Sequence, residues 1–142
     1  MGHTFAAMAA WYDEMLAGVN DAFNTGDFNA LAGWVHDDAV FDWSRSISDN
    51  AGVHEGRESM RSAFEGFIET WDSVKWTIMR VDEPAPGTLV VSNRVTARVR
   101  GSDAEIEASG AQLLELRDGK IARVTLFQSR DDALAELARA DR

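Results

Sequence analysis

Apolar and polar residues alternate with period two from Thr88 to Arg117, which predicts two long strands. In the first, Leu89, Val91, Asn93, Val95, Ala97 and Val99 share one face, with Val90, Ser92, Arg94, Thr96, Arg98 and Arg100 on the other. In the second, Ile106, Ala108, Gly110, Gln112, Leu114 and Leu116 share a face. Each apolar face carries a single amide, Asn93 or Gln112. A buried amide without a partner costs ~1–3 kcal/mol, so the two either satisfy each other or face a ligand. A two-residue turn at Gly101-Ser102 pairs Asn93 with Gly110 and leaves Gln112 diagonal to it. A four-residue loop from Gly101 to Ala104 instead sets Asn93 opposite Gln112. Both registers bring the amides within ~5 or ~7–8 Å of each other and set Arg98 against Glu105 or Glu107.

Upstream the period changes to that of helices. Met8, Tyr12, Met15, Val19 and Phe23 form an apolar stripe predicting a helix from about Phe5 to Asn24. Gly26 suits its C-terminal cap, and Asp27 suits the N-cap of a short second helix with Phe28, Leu31 and Val35 inward. Ala39 to Trp43 reads as a strand, Ser44 to Gly52 as a loop, and Val53-His54 as a short extended piece. Met60, Phe64, Phe67 and Trp71 predict a third helix from Gly56. Val74 to Val81 alternates as a strand, broken by Pro84, Pro86 and Gly87. Asp118-Gly119 centres a turn into a last strand, Ile121 to Gln128. The tail after Arg130 is helix-prone and is expected to pack loosely or fray. Three helices followed by an antiparallel meander is an α+β plan.

Composition narrows the function classes. A chain of 142 residues is expected to be a single domain, with its core at about 7–137. The net charge of −10 argues against nucleic acid and anionic membrane surfaces as partners. No apolar run reaches the ~20 residues of a membrane-spanning helix, and no basic-then-apolar leader is evident, so a cytoplasmic location is expected. There are no cysteines, and the three histidines, His3, His36 and His54, make no metal motif.

Among the remaining candidates, Asp42 is the carboxylate nearest the expected pocket and suits a general base if burial raises its pKa. Alternation, however, pairs Phe41 with Trp43 on the face expected to point inward. His54 titrates near neutrality in a segment at the pocket mouth. Asn93 and Gln112 suit orienting or polarising an oxygen rather than moving protons. Trp43 offers a ring and an N–H donor to a planar ligand, and Gln128 follows Ala122, Val124 and Leu126 on one face of the last strand. Trp34 and Trp71 read as core, and Trp76 as core or interface. The row of Arg94, Arg98 and Arg100 beside Glu105, Glu107 and Glu115 is either a solvated ion-pair ladder or a homodimer face. Val90 and Leu113 on that face favour some burial there.

The order of helix, Asn24-Thr25-Gly26-Asp27, helix, then His36-Asp37-Asp38-Ala39-Val40 entering a strand resembles the nuclear transport factor 2-like superfamily. So do Gly56-Arg57-Glu58 opening the third helix and Leu116 to Ile121 before the last strand. Within that superfamily the chain looks most like the SnoaL-like proteins, whose founding members are polyketide cyclases. The resemblance implies a cone-shaped fold, three helices on a strongly curved sheet enclosing a pocket, and often a homodimer through the sheet. It also implies cofactor-free cyclase, isomerase or dehydratase chemistry on a small, largely apolar ligand bearing a carbonyl or hydroxyl. In the ketosteroid isomerases the general base would fall on Trp43, beside Asp42, the oxyanion tyrosine near Val19, and the second oxyanion donor on Gln112. The cyclases' acid/base aspartate would fall at about Leu126. An enzyme would use Asp42 or His54 for the proton and Asn93, Gln112 and Trp43 for the oxygen. The competing expectation is a non-catalytic binding or dimeric association domain.

Overall fold

The computed structural model describes residues 11–44 and 52–140. Helices α1 (Asp13–Thr25) and α2 (Phe28–Ala32) lead into strands β1 (Val35–Asp42) and β2 (Val53–Glu55). Helix α3 (Arg57–Glu69) is followed by β3 (Trp71–Ala85), β4 (Thr88–Val99), β5 (Glu105–Arg117), β6 (Lys120–Phe127) and helix α4 (Arg130–Ala140). The strands form one curved sheet in the order β2-β1-β6-β5-β4-β3. Every pairing is antiparallel except that of β1 with β6. This is the expected α+β cone, with one helix added at its end.

Local chemistry accounts for most element boundaries. Gly26 ends α1 in the left-handed conformation at φ 68°, and the Asp27 side chain accepts from the Ala30 N–H at 3.1 Å to start α2. Val35, expected inside α2, instead opens β1 beside Ile121, because Gly33 caps the helix first. Asp118 and Gly119 both have positive φ, 56° and 80°, as a type I′ hairpin turn requires. The strand β3 runs through Pro84 to Ala85. It is an edge strand whose pairing shifts between Asp82 and Ala85, the setting in which proline is tolerated. The expected stretch Phe5–Ala10 of the first helix and most of the 44–52 loop lie outside the described residues.

The long hairpin adopts one of the two registers open from sequence. Asn93 pairs with Gly110, Val91 with Gln112, and Arg98 with Glu105. The turn itself differs from the expected Gly101-Ser102 pair. Ser102 N–H donates to Val99 O at 3.1 Å, so Gly101, at φ 75°, is the third residue of a turn that begins at Val99.

The main core lies between α1–α3 and the concave face, where Phe64, Leu31, Leu89 and Ile121 are at most 1 % exposed. Trp34 lies directly on α1 at Gly18, where an added Cβ would meet its indole nitrogen at 2.3 Å.

A second, smaller core lies on the opposite face and corrects the expectation of a fraying tail. Helix α4 covers Val90, Ala111, Leu113 and Phe127 with Ala133, Leu134 and Leu137. The burial of Val90 and Leu113 therefore comes from within the chain rather than from a partner. Asp132 N–H donates to the Ser129 hydroxyl at 3.1 Å, capping the helix start. Arg130 donates to Asp82 on β3 at 2.7 Å, and Arg80 adds a bond at 3.2 Å. The hydrogen bond from Arg130 holds the Asp82 carboxyl below its ordinary value of 3.8, outweighing the opposing effect of burial. A carboxyl with a lowered folded-state pKa gives stability that is present above its unfolded value and lost as pH falls through the folded one. Denaturation midpoints measured between pH 5 and pH 2 should therefore fall less steeply in Asp82→Asn than in the parent, from a lower starting stability.

Candidate functional site

Two of the clefts between the helices and the concave face share a wall. In the first, Leu16, Val19, Asn20 and Phe23 of α1 face Trp76 and Ile78 of β3, Val91 and Asn93 of β4, and Gln112 and Leu114 of β5. Its cavity volume is about 30 Å³, room for a water or two in the unliganded protein. The second, of about 10 Å³, lies across Val19, Phe23, Gln112 and Leu114 and extends to Leu31, Phe41, Trp43, Ile121 and Val124. Both linings are apolar apart from three amides and the two indole N–H groups.

The period-two pattern puts Asn93 into the first cleft, flanked by Ile78 on one strand and Gly110 on the other. Gly110 has no side chain to cover the amide, and the residue is only 6 % exposed. Its Oδ1 is buried without a hydrogen-bond partner, and so is Nε1 of Trp76. The residues that carry this acceptor and this donor both line one apolar cleft, and each unmet atom costs ~1–3 kcal/mol unless something completes it. No hydrogen bond joins Asn93 Oδ1 to Gln112, because the register leaves Gln112 diagonal. The mutual pairing open from sequence is not formed.

Trp76 is the residue that alternation leaves open to either core or interface. It shares the inner face with Ile78 and pairs with Val95, one cross-strand step from Asn93. Asn24, at the end of α1, fixes its backbone from outside: Trp76 N–H donates to Asn24 Oδ1 at 2.6 Å, and Asn24 Nδ2 donates to Trp76 O at 3.2 Å. Phe23 and Phe67 pack against its ring, with centroids at 5.1 and 5.9 Å. The signal in the sequence was positional, since Trp76, Ile78, Asn93 and Gln112 all fall on inward-facing positions.

The other predicted site residues divide. Trp43, 8 % exposed, lines the second cleft and has the His54 ring against it at 5.7 Å. His54 lies on β2 opposite Phe41 and lines a separate open groove with Glu58, Ser59 and Ser62. The Asp42 carboxylate accepts from the Ser44 N–H and hydroxyl at 3.1 and 2.6 Å and pairs with Arg123 at 3.2 Å. Gln128 is exposed just past the end of β6. The fold therefore gathers Asn93, Gln112 and Trp43 around the clefts and leaves Asp42, His54 and Gln128 outside both linings.

Electrostatically the clefts are neutral, because no Asp, Glu, His, Lys or Arg is among their described lining residues. Tyr12, one turn before Leu16 on the same helical stripe, has its phenol pushed above 10.0, first by burial and then by Asp13, Glu83 and Asp82. No group of three His, Cys, Asp or Glu able to hold a metal occurs among the described residues. No helix among them is long and apolar enough to cross a membrane. What the linings present is apolar surface interrupted by a few amides and two tryptophans.

An α+β cone whose helices enclose apolar clefts on the concave face defines the nuclear transport factor 2-like class of proteins. Within it the chain belongs to the family with the SnoaL-like domain, whose model matches residues 16–124. Among curated protein sequences nothing matches. Solved structures agree on the fold. Bal32a, from a soil-derived mobile gene cassette, is 21% identical at a TM-score of 0.71, covering 82% of this chain and 87% of its own. A protein of ketosteroid isomerase-like fold from Catenulispora acidiphila, in complex with trimethylamine, is 19% identical at 0.72, covering 87% and 91%. TerC, co-crystallised with polyporic acid, is 15% identical at 0.72, covering 90% and 98%.

Proposed function

We propose that this protein binds a small, largely apolar molecule carrying a hydroxyl or carbonyl, in the cleft of Asn93, Trp76 and Gln112, without a cofactor. One observation carries the reading: a buried acceptor and a buried donor, Asn93 Oδ1 and Trp76 Nε1, both lack protein partners in the same apolar cleft. A ligand hydroxyl can donate to the first and accept from the second, which removes the cost of leaving both unmet. The absence of ionisable groups from the described linings favours binding over proton-transfer chemistry, since amides and indoles do not exchange protons near neutral pH. Cyclase, isomerase or dehydratase activity would need Asp42 or His54 to reach the ligand; Asp42 is paired with Arg123, and neither residue is in the described lining of either cleft.

Native mass spectrometry of the purified protein, with extraction of whatever co-purifies, tests this directly. The expected result is a neutral hydrophobic oxygen-bearing compound at near-stoichiometric amount, or uptake of such a compound with quenching of tryptophan emission. A protein that retains and takes up no such compound would sink the proposal.

A further inference from the structure

We infer that the first cleft selects a neutral hydroxyl, so that alcohols and phenols bind in preference to ketones and ethers, with Asn93 as the specificity-determining residue. This rests on the pocket reading above and narrows its ligand class. Asn93 Oδ1 accepts and Trp76 Nε1 donates, and both atoms are buried without a partner. Their residues line the same cleft and are diagonal neighbours on the inner face, because Asn93 pairs with Ile78 and Trp76 with Val95. Residues on such a diagonal are ~7–8 Å apart, somewhat less between their Cβ atoms. One oxygen that accepts from a donor and donates to an acceptor spans ~5–6 Å between them, which suits that spacing.

Completing this pair takes a group that both donates and accepts, as a hydroxyl does. A carbonyl or ether oxygen accepts from the indole but sets its lone pairs against Asn93 Oδ1 and leaves that atom unmet. A carboxylate has the same fault, and both it and an ammonium ion bring a charge to a cleft with no ionisable side chain among its described lining residues. The donor is held in place. Two hydrogen bonds from Asn24 fix the Trp76 backbone, and Phe23 and Phe67 pack against the ring. The acceptor has more freedom, since the terminal torsion of an asparagine is soft and a small turn carries Oδ1 toward the opening. Size agrees with this choice, because a hydroxyl is as large as a water and the cleft has room for a water or two. A site that hydrogen-bonds a ligand hydroxyl rejects the analogue lacking it, since its own buried group is then left unpaired.

Cyclohexanol and cyclohexanone are nearly alike in shape and differ at their one oxygen, and isopropanol and acetone are a smaller pair of the same kind. Each compound is titrated into the protein while the Trp76 indole N–H resonance is followed in proton–nitrogen correlation spectra. In each pair the alcohol is expected to bind about tenfold more tightly or better, the fold-change for leaving one buried acceptor unmet. Asn93→Leu should bring the two affinities together. A ketone that binds as tightly as its alcohol overturns the hydroxyl preference and leaves the pocket reading standing, the amide then presenting its N–H to the oxygen. An alcohol preference that persists in Asn93→Leu overturns the role given to Asn93. If no compound moves the Trp76 resonance, the inference and the pocket reading both fall. The comparison of alcohol with ketone uses the unmodified protein, so a variant that does not fold leaves the outcome decidable.

Discussion

Phe127→Ala should cost about 3–5 kcal/mol of folding stability, the range for removing a buried phenylalanine. Phe127 is 3 % exposed and lies between the convex face of the sheet and α4, with Val90, Ala111, Leu113 and Ala133 around it. The cluster is small, so few neighbours can collapse into the space left, which puts the expected loss toward the upper end. A domain with ~5–15 kcal/mol in total would lose a large share of its stability. Urea denaturation measures the loss, and far-ultraviolet dichroism below the main transition would show α4 leaving first. A loss under about 1 kcal/mol would mean that α4 is not docked on this face.

Asn93→Leu should do the opposite to stability while removing function. Leucine keeps the branching at Cγ, is the larger residue, and deletes an acceptor that is buried without a partner. Relief of that penalty predicts a gain of about 1–3 kcal/mol in the unliganded protein. Affinity for a hydroxyl-bearing ligand should fall at least tenfold, because the oxygen end loses its acceptor and keeps only Trp76. Stability bought at the expense of binding is the pattern expected of a polar group retained for a ligand. If Asn93→Leu is instead less stable and binding is unaltered, the amide is structural and does not meet the ligand. Denaturant midpoints and calorimetric titration on the same samples separate these outcomes.

The parts of this fold that were legible in the sequence are those governed by local periodicity. The inward face of β4 and the amide upon it followed from alternation, as did Asp27 at the start of α2 and Asp118-Gly119 at the last hairpin. The pairing of Asn93 with Gly110 was one of two registers that alternation allowed, and only the turn geometry decided between them. Alternation also gave the inward placement of Phe41 and Trp43, and hence the turning of Asp42 toward Arg123. Long-range packing was not legible. The tail carries Ser129 three residues before Asp132, a helix-start signature, yet its apolar residues read as a fraying end. Their partners, Val90, Leu113 and Phe127, sit on three different strands, and no local pattern links them to α4. Trp76 was ambiguous for the same reason, since its role depends on the end of α1 reaching it across 52 positions of chain.

That reach of Asn24 has a consequence for solubility. The strand β3 is the sheet's outermost on its side, and its 15 residues carry the longest row of unshared peptide groups. Such a row invites pairing with another molecule's strand. A primary amide presents the same acceptor and donor as a peptide unit. By taking up both the N–H and the C=O of Trp76, Asn24 stands in for a single residue of a seventh strand. It interrupts the exposed edge near its middle, and a neighbouring chain seeking to extend the sheet there finds the place already taken.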